Sequence, residues 1–251
     1  MFDKILSVEE LSIAYGSKKV IQGVSFSVKR GEILVIAGES GSGKSTILKA
    51  IGGLLGNCGN IIDGQIFFDG REITFLSDGQ RRKIAGESIG MIFQNAGASF
   101  CPIRTIGEQI FESVRAHRDW NKEKFRERAI KLMNNINLAP EVLEEYPFRL
   151  SGGMAQRAGI LAATILEPKL LLADEPTSAL DIVNQFSVVE ELLKLKISIV
   201  LVTHDLRIAR RIADKILILR GGNVIEFGTR EQIFNKPREI YTQELIRAAG
   251  L

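Results

Sequence analysis

Gly38-Glu39-Ser40-Gly41-Ser42-Gly43-Lys44-Ser45-Thr46 fits the pattern G-x-x-x-x-G-K-S/T without a mismatch and directly follows the apolar run Ile33-Leu34-Val35-Ile36. That run reads as a short buried strand, and from Lys44 the residues Ile47, Leu48, Ala50, Ile51 and Leu54 recur at helical spacing. Strand, glycine loop and helix in this order give the pattern its chemical meaning. Gly38, Gly41 and Gly43 allow backbone conformations that a side chain forbids, so successive N–H groups can turn toward phosphate oxygens. The start of the helix adds a dipole that favours anions. Lys44 is expected to reach the β- and γ-phosphates of a nucleotide as a compact charge, and the Ser45 hydroxyl to ligate Mg²⁺. The competing account is a glycine-rich turn that merely precedes a helix.

Outward from this loop the texture alternates. Leu6 to Tyr15 and Val20 to Val28, joined at Gly16-Ser17, read as antiparallel strands, and Asp69-Gly70 marks a second hairpin within Gly64 to Ile73. From Gln94 to Leu166 the chain turns helical, with Phe111, Val114, Ile130, Leu132, Met133, Ile136 and Leu138 at recurrent apolar positions among charges. Leu170 to Ala173 and Ile197 to Val202 are short apolar runs, each preceded by a helical segment, as in a parallel sheet buried on both faces. Lys215 to Leu219 and Val224 to Phe227 flank Gly221-Gly222-Asn223 as a closing hairpin, and a helical tail begins at Thr229. The expected fold is α/β: a phosphate-loop, RecA-like core with a mostly parallel sheet, an antiparallel β edge and an inserted helical lobe. Residues 1–93 and 167–228 form the core in this reading, 94–166 the lobe and 229–251 the tail.

Composition excludes several classes. At 251 residues, 45% hydrophobic and 25% charged, the chain is an ordinary globular protein. No apolar stretch approaches the roughly 18 residues of a membrane span, and Met1-Phe2-Asp3-Lys4 does not open a secretory signal. Cys58 and Cys101 are the only cysteines, which denies the chain a disulfide framework. A net charge of +3 is too mild for a nucleic-acid binder, and Arg81-Arg82-Lys83 and Arg210-Arg211 read as solvated faces.

Three further pieces carry chemistry. Asp174-Glu175 ends the run Leu170 to Ala173, at the strand end where open α/β sheets bind ligands. Asp174 is expected to hold a water of the Mg²⁺ shell beside Ser45, and Glu175 to orient and deprotonate an attacking water. His204 follows Ile199 to Thr203 and is placed to hydrogen-bond the γ-phosphate or that water, whereas His117 lies among charged residues and reads as a surface group. Ser151-Gly152-Gly153 opens a helix of small and apolar residues, with Ser151 as its cap and the glycines admitting a phosphate to the helix end. A second phosphate element has no room beside the same nucleotide in one subunit, so it is expected to serve a nucleotide held by another.

The combination resembles the ATP-binding cassette (ABC) ATPases: GESGSGKST, the glutamine of Ile92-Phe93-Gln94, the signature LSGGM at Leu150 to Met154, LLLADE, Ser178-Ala179-Leu180-Asp181, and His204, in that family's order across nearly the whole chain. The resemblance implies ATP and Mg²⁺ as the bound groups. It also implies that Gln94 touches Mg²⁺ or the attacking water, that Asp181 lies at the subunit interface and that Tyr15 stacks on adenine. Implied partners are a second ATPase subunit (a sister chain or a copy of itself), membrane-embedded permease subunits on which the helical lobe docks at the cytoplasmic face, and indirectly a substrate-binding protein. Phe93, Phe100 and Ile103 are read equally as part of that docking groove or as lobe core. The stretch Phe93 to Ile110, the signature methionine and the tail Glu231 to Leu245 are similar to dipeptide, oligopeptide and nickel import ATPases. Met154 stands where most of the family has glutamine, removing a side-chain hydrogen bond at the trans site. The chain lacks a long cysteine-bearing tail, which shifts the expectation toward nickel or a metal chelate and away from an iron–sulfur site. Two rival classes are a soluble ABC ATPase acting on nucleic acid or ribosomes, for which heptads and a basic patch are missing, and a nucleotide-dependent regulator that barely hydrolyses ATP, against which Glu175 and His204 argue.

Overall fold

The computed structural model describes residues 3–178, 180 and 182–251; at Asp78 and residues 182–184 the description is confined to the backbone. In chain order run β1 (Lys4–Tyr15), β2 (Lys18–Lys29), β3 (Ile33–Ala37), α1 (Lys44–Gly52), β4 (Gly59–Phe68), β5 (Arg71–Glu72), α2 (Asp78–Ile84) and β6 (Ile89–Ile92). These are followed by α3 (Ile106–Arg115), α4 (Lys122–Asn135), α5 (Gly152–Thr164), β7 (Leu170–Asp174), α6 (Ile182–Lys194), β8 (Ser198–Thr203), α7 (Leu206–Ile212), β9 (Lys215–Arg220), β10 (Asn223–Thr229), α8 (Arg230–Asn235) and α9 (Ile240–Ala248). The chain divides into two compact units, Met1–Arg81 with Ile197–Leu251, and Arg82–Lys196.

In the first unit β3 pairs in parallel with β8 on one side and β9 on the other, and β10 closes the edge antiparallel to β9. Every residue of β3 and β8 is buried, so these strands show unbroken apolar runs in place of alternation. A separate antiparallel sheet has the order β2-β1-β4-β5. Its alternating burial, as in β2 where Val24, Phe26 and Val28 are buried and Ser25 and Lys29 exposed, follows the period of two. Gly64, at φ +86°, lies where a Cβ would meet the Glu9 and Glu10 backbone at 2.5 Å, so a side chain there would push β4 off β1. The tail stays with this unit: the Glu226 carboxylate accepts the backbone N–H groups of Arg238 at 2.9 Å and Glu239 at 3.3 Å.

The second unit holds the helices α3 to α6 together with the parallel pair β6 and β7, in register Ile89↔Leu170 to Ile92↔Ala173. It is wider than the stretch 94–166 singled out by texture because α5 packs directly on β6. A Cβ at Gly90 would stand 2.2 Å from the Ala163 carbonyl oxygen, so glycine permits that approach. α3 opens with a reciprocal Thr105/Glu108 capping box.

Three local expectations change. Leu54 does not extend α1: Gly53 adopts a left-handed cap at φ 72°, and Leu54 is 48% exposed. Arg81 is not a solvated charge, since its guanidinium donates to the carbonyls of Ile73 at 2.9 Å and Thr74 at 2.8 Å. His117 is half-buried against Gly86, with its ring 3.3 Å from the position a Cβ would take.

Candidate functional site

In the first unit the loop after β3 is shaped by what surrounds its glycines. Gly38, at φ +151°, passes so close to β9 that a Cβ would lie 2.0 Å from the Leu219 carbonyl oxygen. Gly43, at φ 101°, starts α1 without a side chain to cap its first N–H groups, leaving that turn suited to an anion. The Lys44 side chain is buried along the loop, and its Nζ donates to the carbonyls of Gly38 at 2.8 Å and Glu39 at 2.7 Å. The Ser42 hydroxyl oxygen is buried and unsatisfied, and its carbonyl accepts the Gly222 N–H at 3.0 Å from the β9–β10 turn. Glu39, Ser40 and Gly41 are exposed, while Ser45 and Thr46 are half-buried in the first helical turn.

Strand register brings His204 to the same edge. Ala37 of β3 pairs with Thr203 of β8, so the glycine loop and His204 leave neighbouring parallel strands at their C-terminal ends. His204 is exposed. Asp205 next to it caps α7 by accepting the Arg207 N–H at 2.8 Å, and the Arg207 guanidinium returns onto the same carboxylate at 2.7–3.2 Å. Burial pushes the Asp205 pKa upward, but the Arg207 hydrogen bonds outweigh it and hold the carboxyl below its ordinary range. Tyr15, at the end of β1, is half-buried, with its ring edge against Gly59.

The second unit gathers the other candidates. β7 ends in Asp174, which is buried, and the next residue, Glu175, takes the left-handed conformation at φ 43°. Strand pairing sets Ile92 beside Ala173, and just beyond both strand ends the Gln94 amide donates to the Glu175 carboxylate at 3.4 Å. Ser151 caps α5 as expected, its hydroxyl accepting the Met154 N–H at 3.3 Å, and Gly152 and Gly153 form the first turn. The same helix is anchored by Arg157, whose Nε donates to both oxygens of buried Glu191 in α6 at 3.1 Å. Ser187 and Asn137 complete that cluster at 3.0–3.2 Å. Asp181 lies outside the described residues.

Comparison with known proteins agrees with this geometry. The ABC transporter family model matches residues 21–178, from β2 through the turn after Glu175. The chain belongs to the ABC transporter family. The dipeptide transport ATP-binding protein DppD of Escherichia coli is 41% identical over 254 residues, a match covering 97% of this chain and 78% of DppD. The metal-staphylopine import system ATP-binding protein CntD of Staphylococcus aureus strain Mu50 is 37% identical, covering 96% of this chain and 92% of CntD. A dimeric, post-hydrolysis structure of the ATP-binding cassette MJ0796 bound to ADP and phosphate superposes with a TM-score of 0.80 at 29% identity, covering 90% of this chain and 98% of that one.

This ABC subunit is therefore an ATP-binding ATPase coupled to transport, and it is similar to the dipeptide, oligopeptide and metal import ATPases. No helix among its described residues is long and apolar enough to cross a membrane. Other residues of the ABC ATPase touch the phosphate loop yet carry no sequence signal for it: Leu219 and Gly222 from the β9–β10 hairpin, and Tyr241 from α9. They are separated from the loop by most of the chain, and no local pattern links them to it.

Proposed function

We propose that the chain binds MgATP through Gly38 to Thr46, hydrolyses it with Glu175 as general base, and so powers an importer of short peptides or metal chelates. The contact between Gln94 and Glu175 is the observation that carries the catalytic part of this reading. It joins the glutamine after β6 to the carboxylate after β7, and its amide dipole orients the group that must take a proton from water. Lys44 stabilises charge on the β- and γ-phosphates, His204 steadies the γ-phosphate or the attacking water, and Tyr15 offers adenine a flat face.

The buried, unsatisfied Ser42 hydroxyl oxygen and the anion-ready start of α1 fit a phosphate group. Among the described residues no cluster of three His, Cys, Asp or Glu could hold a metal alone. Mg²⁺ would instead be held by hard oxygen donors, the Ser45 hydroxyl, the Gln94 amide oxygen and Asp174 through water, together with nucleotide phosphates, and would neutralise charge on them. Ser151, Gly152 and Gly153 are assigned to a nucleotide on a second ATPase subunit, either a sister chain or a second copy, with Asp181 at the interface.

The identity to DppD and CntD supports a short-peptide or metal-chelate cargo, permease subunits at the cytoplasmic membrane face and a substrate-binding protein upstream. Affinity capture of the tagged chain from gently solubilised membranes is expected to recover polytopic permease subunits and a sister ATPase. Recovery of ribosomal or DNA-bound proteins without any membrane protein would overturn the transport assignment. The capture would also identify the substrate-binding protein whose ligand decides between peptide and metal chelate.

A further inference from the structure

The phosphate loop is held from behind by the C-terminal tail. Tyr241, in the first turn of α9, is 8% exposed, and its hydroxyl oxygen accepts the backbone N–H of Glu39 at 3.4 Å across 202 positions of sequence. Its ring is fixed from the other side by the Arg220 guanidinium, 4.5 Å from the ring centroid, at the end of β9. Two residues further on, Gly222 donates to the Ser42 carbonyl of the same loop at 3.0 Å. The loop is therefore gripped at Glu39 and at Ser42 by the β9–β10 hairpin and the tail acting together.

Glu39 is where this grip meets the chemistry. Its N–H is taken by Tyr241, while its carbonyl accepts from the Lys44 Nζ at 2.7 Å, beside the Gly38 carbonyl at 2.8 Å. A residue whose N–H and C=O are both engaged cannot rotate without breaking one of those bonds. Fixing it fixes where the lysine ammonium rests before phosphate arrives, and such preorganisation lowers the cost of binding. Burial, and then the neighbouring Glu39 side chain, raise the Tyr241 pKa above that of a free phenol, which favours the neutral hydroxyl.

We propose that Tyr241 is a positioning residue for the phosphate loop, acting through the Glu39 backbone on Lys44, with Arg220 holding its ring. This rests on the assignment of Gly38 to Thr46 as the ATP site. It gives the tail a direct part in nucleotide affinity and makes α9 a route by which an event on the tail would alter ATP binding.

The test is calorimetric titration of the full-length chain with MgATP. Tyr241→Phe removes only the hydroxyl and is expected to raise Kd about 3- to 10-fold, the range of one hydrogen bond, with the binding stoichiometry unchanged. Arg220→Gln should shift Kd in the same direction by a smaller factor. A purely structural role would instead lower the binding-competent fraction and leave Kd alone. In a Lys44→Gln background the Tyr241→Phe effect should shrink toward unity, because the lysine it positions is gone. An unchanged Kd for Tyr241→Phe, a loss confined to stoichiometry, or an undiminished effect beside Lys44→Gln would each overturn the inference. If the parent chain bound no MgATP, the phosphate-loop assignment itself would fail and the inference with it.

Discussion

Two segments of this ABC ATPase adopt left-handed backbone at the places assigned to chemistry, and they do so with different residues. In the phosphate loop Gly41 and Gly43 carry the positive φ, at 77° and 101°, where glycine has no Cβ to clash. After β7 the residue is Glu175, at φ 43°, where a side chain costs on the order of 1–3 kcal/mol. The difference follows from which atoms do the work. Under the proposed function the loop presents backbone N–H groups to phosphate, so a side chain there is dispensable. Under the same proposal the strand end presents the Glu175 carboxylate as base, so the side chain must stay and the fold bears its strain. Asp174 is buried at the strand end, while Glu175, where the backbone leaves the extended conformation, meets Gln94.

The largest effect that bears on this contrast is Glu175→Gln. Hydrolysis is expected to fall about 10²- to 10⁴-fold, roughly 3–5 kcal/mol of barrier, with MgATP affinity retained. A phosphate-release assay beside a binding titration measures both, and hydrolysis at the parent rate would remove the base assignment. Gly38→Ala comes next, because its Cβ would stand 2.0 Å from the Leu219 carbonyl oxygen. Overpacking of this kind costs about 1–3 kcal/mol, readable as a lower urea midpoint, and ATP affinity should drop with it. Glu175→Gly sharpens the contrast from the other side: relief of strain should leave it about 1 kcal/mol more stable than Glu175→Gln, with hydrolysis expected to be reduced in both. Equal midpoints for the two variants would mean that Glu175 stores no strain.

The smallest effect is one of pH. The folded pKa of Asp205 lies below the 3.8 of a free carboxyl, so its contribution to stability is fully present above that value and is lost as pH falls through the folded pKa. Asp205→Asn should flatten this part of the acid limb in thermal unfolding between pH 5 and pH 2, as a range about the free value. An acid limb identical to that of the parent would show that the Arg207 pair does not favour the folded state.

Much of this was legible in residue order, for a physical reason. The runs Ile33 to Ile36, Leu170 to Ala173 and Ile199 to Val202 are apolar at every position because β3, β7 and β8 are buried on both faces. The Ser151 cap was equally legible, since a helix start is a matter of a few consecutive residues. The end of α1 was less so: Leu54 continues the helical spacing, but two consecutive glycines, Gly52 and Gly53, terminate the helix before it. Arg81 looked like one of three surface charges because composition does not reveal which cation finds carbonyls to fold back upon.

The sequence by itself determined the chemistry on offer: a glycine loop ending in Lys44-Ser45, a carboxylate pair at Asp174-Glu175, and a capped helix at Ser151, each specified by contiguous residues whose spacing sets local backbone and charge. Only the tertiary structure decided that His204 leaves the strand beside the phosphate loop, that Gln94 meets Glu175, and that Tyr241 reaches Glu39 from the far end of the chain. Those pairings are set by strand register and helix packing, which bring together groups tens to hundreds of residues apart. Their geometry depends on the whole core being assembled and not on any segment of it.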